Sequence, residues 1–430
     1  MNRDIEAILQ TWANDPDRKP LIIRGARQVG KSWSVQQLGK SFKKIHTINL
    51  EQRPDWHGIF DLNLDAVRIL RELEVLTGAT ITPGEDLLFF DEIQAQPKTI
   101  QALRYFYEQL PSLHVISAGS LLEFVLNEIP FPVGRVQMVD MYPMSFGEYL
   151  LAIGEKGIYE IISAKPGLVS EPIHEKLLLE LRQYFAIGGM PACVSLFAEK
   201  GSLISVREIQ HDLLTTYRQD FLKYTPHVNT HCLQDVFSAT AQSIGQQISY
   251  TKLSATFTGP TNKKAFDLLT TARVVHKIAA VSPLALPLSG HKNSKKFKAI
   301  FLDIGLLTAL NGIDTSYTGD YHALFRGAMA EQFVGQELIT SRSREVFYWA
   351  RQSSGSLAEI DFVTSNQNRI IPVEVKSGAA GKLKSLHILL NENPHIHRGY
   401  VLSEANYGEM PEQKLTFLPI YYAGSLGKDF

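Results

Sequence analysis

The chain has 430 residues, well beyond one usual domain, which excludes a single small module and sets an expectation of two or three domains. Lys and Arg total 43 against 44 for Asp and Glu, so bulk charge cannot hold nucleic acid and any such contact must use a local patch. A composition 44% hydrophobic and 20% charged is globular, and two cysteines, Cys193 and Cys232, exclude a disulfide framework or a thiolate zinc site. The N-terminus, Met1-Asn2-Arg3-Asp4, lacks the apolar core of a signal peptide, and no run is long enough to span a membrane, so the cytosol is the expected compartment. Ile5, Ile8, Leu9 and Trp12 then recur at helical spacing before an Asn14-Asp15-Pro16-Asp17 turn. Leu21-Ile22-Ile23 reads as a buried strand, followed by a glycine loop and a polar helix. Ile45 to Leu50, Leu87 to Phe90 and Leu113 to Ile116 are further strands, separated by helical patterns at Ile69 to Leu76 and Ile100 to Leu110. That alternation predicts a parallel α/β sheet over residues 1–146. Residues 147–320 carry mostly helical periodicity, as at Ile173, Leu177, Leu178 and Leu181. From 321 to 430 a helix at Ala328 to Ile339 precedes strands at Val346 to Trp349, Ile360 to Val363 and Ile370 to Val375, a separate α/β unit.

Gly25-Ala26-Arg27-Gln28-Val29-Gly30-Lys31-Ser32 fits the spacing G-x-x-x-x-G-K-[ST] between a predicted strand and helix. Backbone N–H groups of such a loop point at the phosphates of ATP, Lys31 neutralises the β and γ phosphates, and Ser32 offers its hydroxyl to Mg²⁺. Trp33, next along, is grouped with the loop as a nucleotide contact. The strand ending Phe89-Phe90-Asp91-Glu92 supplies the acidic partner, with Asp91 toward Mg²⁺ and Glu92 as general base for the attacking water. Ser117 or Ser120 is the candidate polar sensor beside the γ phosphate. Arg135 is the candidate cation for transition-state charge, in its own subunit or for a neighbour.

Two further constellations lie downstream. Ser249 to Leu253, Gly259-Pro260-Thr261 and Asn262 to Leu269, followed by Val274 to Ile278, have the order of a helix-turn-helix with Lys263 and Lys264 exposed. The basic run from Lys292 to Lys298 follows, and a cationic hairpin there suits DNA phosphates; a solvated loop or a protein-docking surface is the competing reading. Near the C-terminus, Ile360-Asp361-Phe362-Val363 and Pro372-Val373-Glu374-Val375-Lys376 flank a turn at Ser365 to Asn368, so a hairpin brings two carboxylates and a lysine together. Asp361 and Glu374 as Mg²⁺ ligands, Lys376 on the water and Glu331 as a third carboxylate make the chemistry of a metal-dependent phosphodiesterase.

The phosphate loop, Phe89-Phe90-Asp91-Glu92-Ile93-Gln94, Ala118-Gly119-Ser120, Gly134-Arg135 and Pro143 to Tyr149, with Gly188-Gly189-Met190-Pro191 and Phe301 to Leu306, together resemble a prokaryotic family of AAA-type P-loop ATPases. Members carry a C-terminal domain of unknown function related to PD-(D/E)XK nucleases, and here Ile360 stands where that pattern has proline. The resemblance implies an AAA-type ATPase domain, a helical middle with a winged-helix element, and a restriction-endonuclease-like α/β end. ATP binding coupled to DNA binding or cleavage is one expectation; a nucleotide-gated regulatory or protein-binding module with an inactive nuclease-like end is the other. A trans arginine finger would further require a homo-oligomer.

Overall fold

A computed structural model of the chain describes residues 3–126, 129–221, 228–313, 323–341, 345–351, 358–377 and 383–426. Contacts divide it into two units, residues 2–142 and 143–430. The expected boundary at 320 lies outside the described residues, as do the side chains of Ser294, Lys295 and Lys296.

The first unit is a five-stranded parallel sheet built from β1 (Leu21–Arg24), β2 (Ile45–Asn49), β3 (Leu87–Asp91), β4 (His114–Gly119) and β5 (Gln137–Asp140), in the order β2-β3-β4-β1-β5. β4 lies between β3 and β1, pairing Phe90 with Ser117 and Arg24 with Gly119. The carboxyl ends of β1, β3 and β4 therefore share one edge of the sheet, where open α/β sheets bind ligands. Leu87, Leu88, Phe89 and Phe90 are fully buried, the continuous apolar run of an interior parallel strand. Each contributes about 1.5–3 kcal/mol to folding by burial. Phe90 packs edge-on against Phe60, and with Ile22, Leu73 and Phe106 forms the core on the helix side.

The second unit holds an eight-stranded mixed sheet and the helices around it. Its strands are β6 (Val275–Val281), β7 (Lys292–Phe301), β8 (Phe347–Ala350), β9 (Glu359–Asn366), β10 (Arg369–Val375), β11 (Gly399–Ser403), β12 (Gly408–Met410) and β13 (Leu415–Pro419), ordered β12-β13-β11-β10-β9-β8-β6-β7. The antiparallel pair β6 and β7, which the sequence places in the helical middle, joins the C-terminal sheet through the pairs Ala280–Tyr348 and Val281–Trp349. β9 and β10 form the expected hairpin, and its turn residues Gln367 and Asn368 have φ of 44° and 61°, the left-handed conformation that tight two-residue hairpin loops require. Trp349 is buried with Ile360, Leu386 and Leu389 in the core beneath the helix Lys384–Glu392.

Three of the motifs that carry the resemblance meet at one junction in this unit. Asp303 accepts hydrogen bonds from the backbone of Gly189 at 2.6 Å and Leu306 at 2.9 Å. Gly189 lies so close to Met144 that a Cβ would meet its carbonyl oxygen at 2.0 Å, and Tyr184 donates to that same oxygen at 2.6 Å. Ser145 and Glu148 form a reciprocal capping box at the start of the helix Phe146–Ala152. Pro143 to Tyr149, Gly188 to Pro191 and Phe301 to Leu306 thus act on chain packing. Burial pushes Asp303 up to about 6, against the backbone N–H groups that favour its anion.

Candidate nucleotide site and carboxylate cluster

In the first unit, β1 ends at Arg24, and Gly25 to Gly30 turn the chain into the helix Lys31–Gly39. Gly25 approaches β5's end so closely that a Cβ would meet the Met141 carbonyl oxygen at 2.2 Å. Gly30 has φ 100°, a conformation open to glycine, and the buried Lys31 ammonium donates to the carbonyls of Gly25 at 2.9 Å and Ala26 at 2.8 Å. Ala26, Arg27, Gln28 and Val29 form the span between, Gln28 with φ 64°. Arg3, which sequence reasoning missed, clamps the loop from the residue before the helix Asp4–Asn14 by donating to the carbonyls of Val29 at 2.9 Å and Tyr142 at 2.8 Å. Trp33 is 38% exposed on the helix's first turn.

The Ser32 hydroxyl lies 2.9 Å from one Asp91 carboxylate oxygen and 3.1 Å from the other. Burial raises the Asp91 carboxyl above its ordinary range, opposed by the Ser32 hydrogen bond and helped by the nearby Glu92. A hydroxyl and a carboxylate at the end of a phosphate loop are the hard oxygen ligands that Mg²⁺ takes beside phosphate, so the residues present fit that ion. Glu92 holds a left-handed backbone, φ 49° and ψ 48°, uncommon outside glycine and concentrated at functional sites. Its carboxylate accepts from the Gln94 amide at 2.5 Å. Gln94 in turn lies against the end of β4, where a Cβ on Gly119 would meet its Oε1 at 2.2 Å. Ser120 is buried just past that strand end, while Ser117 lies inside β4 with its hydroxyl buried and unpartnered. Arg135 stands apart from this group: its guanidinium is 48% exposed and pairs with Glu108 at 3.0 Å.

In the second unit the hairpin brings Asp361 and Glu374 onto neighbouring strands, and the Asp361 carboxylate accepts from the Val375 backbone at 2.9 Å. Lys376 pairs with Glu374 at 2.5 Å. The cation that Glu331 and Asp361 share is Lys298, 3.1 and 3.2 Å from them and 2.6 Å from Glu359. The Lys298 side chain is only 3% exposed. Burial alone would lower its pKa, but Asp361, Glu331 and Glu359 together raise it well above the ordinary lysine range. Burial and then the nearby Asp361 push the Glu331 and Glu374 carboxyls above the ordinary carboxylate range, while Lys298 and Lys376 oppose that rise. Among the described residues no group of three or more His, Cys, Asp or Glu is disposed to hold a metal ion. The lysine-filled cluster does not fit the Mg²⁺ site expected from Glu331, Asp361 and Glu374. Lys298 is corrected likewise as a DNA contact: it points into the protein, leaving Lys292 exposed on the same strand. Lys263 and Lys264 are exposed on the helix Gly259–Thr271, with Lys263 paired to Asp267 at 2.6 Å.

The AAA domain family matches residues 17–150, covering the sheet with this loop and acidic strand end. The N-terminal unit has the parallel sheet and phosphate loop of a P-loop ATPase-like domain. Two families described only as domains of unknown function match residues 178–317 (DUF8612) and 326–422 (DUF4143). Among solved structures the chain is similar to a Walker-type ATPase of Pyrococcus abyssi, at 17% identity and TM-score 0.45, covering 72% of this chain and 95% of that one. It is also similar to a STAND ATPase with a tetratricopeptide repeat sensor from Pyrococcus horikoshii, at 13% identity and TM-score 0.27, covering 78% and 45%. The Drosophila ORC bound to DNA is similar at 11% identity and TM-score 0.27, covering 73% and 96%. At such scores these likenesses add nothing to the family match and the sheet order. No curated protein matches the chain. No described helix is long and apolar enough to cross a membrane.

Proposed function

We propose that the chain binds ATP with Mg²⁺ at Gly25 to Ser32, hydrolyses it, and uses the nucleotide state to govern DNA binding by residues 143–430. The carrying observation is the group Ser32, Asp91, Glu92 and Gln94 gathered at the carboxyl edge of an AAA-type sheet. In this reading the loop's N–H groups and Lys31 take the phosphates, and Trp33 offers an exposed ring beside the nucleotide. Ser32 and Asp91 would hold Mg²⁺, which would supply positive charge to offset that of the phosphates. Glu92 accepts a proton from water as its oxygen attacks the γ phosphorus and the bond to ADP breaks, with Gln94 fixing the carboxylate. Ser120 reads the γ phosphate, and Arg135, exposed and paired with Glu108, serves a neighbouring protomer. The test is phosphate release by wild type, Glu92→Gln and Lys31→Ala. Hydrolysis should fall by about 10²–10⁴ in Glu92→Gln with ATP still bound, and binding should fail in Lys31→Ala. Equal near-zero rates in wild type and Glu92→Gln would sink the hydrolysis claim.

The winged-helix reading of the DNA-binding part is supported by the helices Thr230–Gln242 and Gly259–Thr271 followed by the hairpin β6 and β7, with Ile248 bridging to Phe297. One observation favours the second reading, in which the nuclease-like end binds without cutting: Lys298 occupies the carboxylate cluster. Incubation with varied DNA forms and Mg²⁺ or Mn²⁺ separates the two. Cleavage lost in Glu374→Ala but kept in a folded Lys31→Ala variant supports a metal-dependent nuclease; ATP-dependent DNA or partner binding without cleavage supports the binding module.

A further inference from the structure

We infer that Lys298 is the resident cation of the C-terminal carboxylate cluster, which therefore binds no divalent metal while that lysine stays in place. An ammonium carries three N–H donors and no acceptor. Here three carboxylates from two different elements, Glu331 on the helix Ala323–Thr340 and Glu359 and Asp361 on β9, stand 3.1, 2.6 and 3.2 Å from Nζ, one for each donor. Those are hydrogen-bond distances; Mg²⁺ needs its oxygens at about 2.0–2.1 Å in near-octahedral array. The lysine stem is locked as well, because Phe297 and Ala299 on either side are fully buried and Lys298 pairs with Ile278 of β6. Burying an ammonium so deeply is costly unless it is paired, and removing it would leave Glu331, Glu359 and Asp361 facing one another.

The cation and its carboxylates come from different family segments. Lys298 lies within residues 178–317, whereas Glu331, Glu359 and Asp361 lie within 326–422. The pairing of β6 with β8 brings the β6–β7 hairpin, and Lys298 with it, into the sheet that carries these carboxylates, so the hairpin that follows the exposed Lys263 and Lys264 also decides what fills the acidic site. This deepens the nuclease-like reading of the C-terminal residues, and its test needs neither ATP turnover nor DNA.

The experiment titrates Mn²⁺ into nucleotide-free protein, following the free-ion electron paramagnetic resonance signal, for wild type, Asp361→Asn, Lys298→Met and the double variant Lys298→Met with Asp361→Asn. Wild type and Asp361→Asn should bind alike. Lys298→Met should gain one Mn²⁺ per chain, bound at least about tenfold more tightly than any site wild type has there, and the double variant should lose it. A wild-type Mn²⁺ that disappears in Asp361→Asn would overturn the inference, as would a folded Lys298→Met that gains none. If Lys298→Met does not fold, Lys298→Gln keeps a hydrogen-bonding head without the charge and is held to the same two outcomes. An overturned inference would strengthen the metal-dependent nuclease and leave the ATPase reading where it stands.

Discussion

Glu92 is held by a neighbour two residues on, and that neighbour has room only because residue 119 is glycine. The geometry links Gly119, Gln94 and Glu92 in series. Gly119→Ala should displace the Gln94 amide and free the Glu92 carboxylate, lowering kcat about tenfold while ATP affinity stays within about twofold. Gln94→Ala should reproduce that split, and steady-state kinetics with a separate nucleotide-binding measurement checks both. Asp303 makes a pH prediction. Its folded pKa, about 6, lies above the ordinary carboxyl value, so the neutral acid is favoured in the folded state. The stability it contributes is therefore fully present below the unfolded pKa of about 4 and is lost as pH rises through about 6, a difference of order 3 kcal/mol. Asp303→Asn cannot ionise, so the gap between wild-type and variant urea midpoints should shift against wild type from pH 4 to 7. A gap that stays constant would show that Asp303 titrates at its ordinary value.

Among the elements, the strand, loop and helix around Gly25 to Ser32 were legible because all their determinants are contiguous: an apolar run, two glycines and a lysine at fixed spacing. The hairpin β9 and β10 was legible for the same reason, its turn being written into Gln367 and Asn368. Lys298 was not. A lysine in a run of lysines reads as surface, and only pairing with strands far along the chain turns it inward. That difference makes a prediction for DNA binding. Lys263→Ala with Lys264→Ala should lower the slope of log affinity against log salt by about 2, the loss of two phosphate contacts on duplex DNA. Neutralising Lys298 should leave the slope unchanged, because its charge is already matched inside the protein. At the other end of the unit, Ser145→Ala removes a capping hydroxyl and should cost about 1 kcal/mol, read from denaturant unfolding.

At the scale of the whole molecule, the alternation of strands and helices in the first third announced a parallel sheet, and the order β2-β3-β4-β1-β5 is that sheet. The later two thirds were harder, because local periodicity carries no information on which strands become neighbours. Residues 275–301 look like an appendage to a helical region, yet they form the far edge of the C-terminal sheet. That shared sheet sets an order of events on the ribosome. At roughly 5–20 residues per second, β6 and β7 leave the exit tunnel seconds before β8 exists, and β6 must wait with a bare edge. Unpaired strand edges invite pairing with another chain. The nascent protein is therefore most exposed to misassembly in the interval between Phe301 and Phe347, and a stop there would release a chain with an uncapped sheet and a Lys298 that lacks its Glu359 and Asp361 partners.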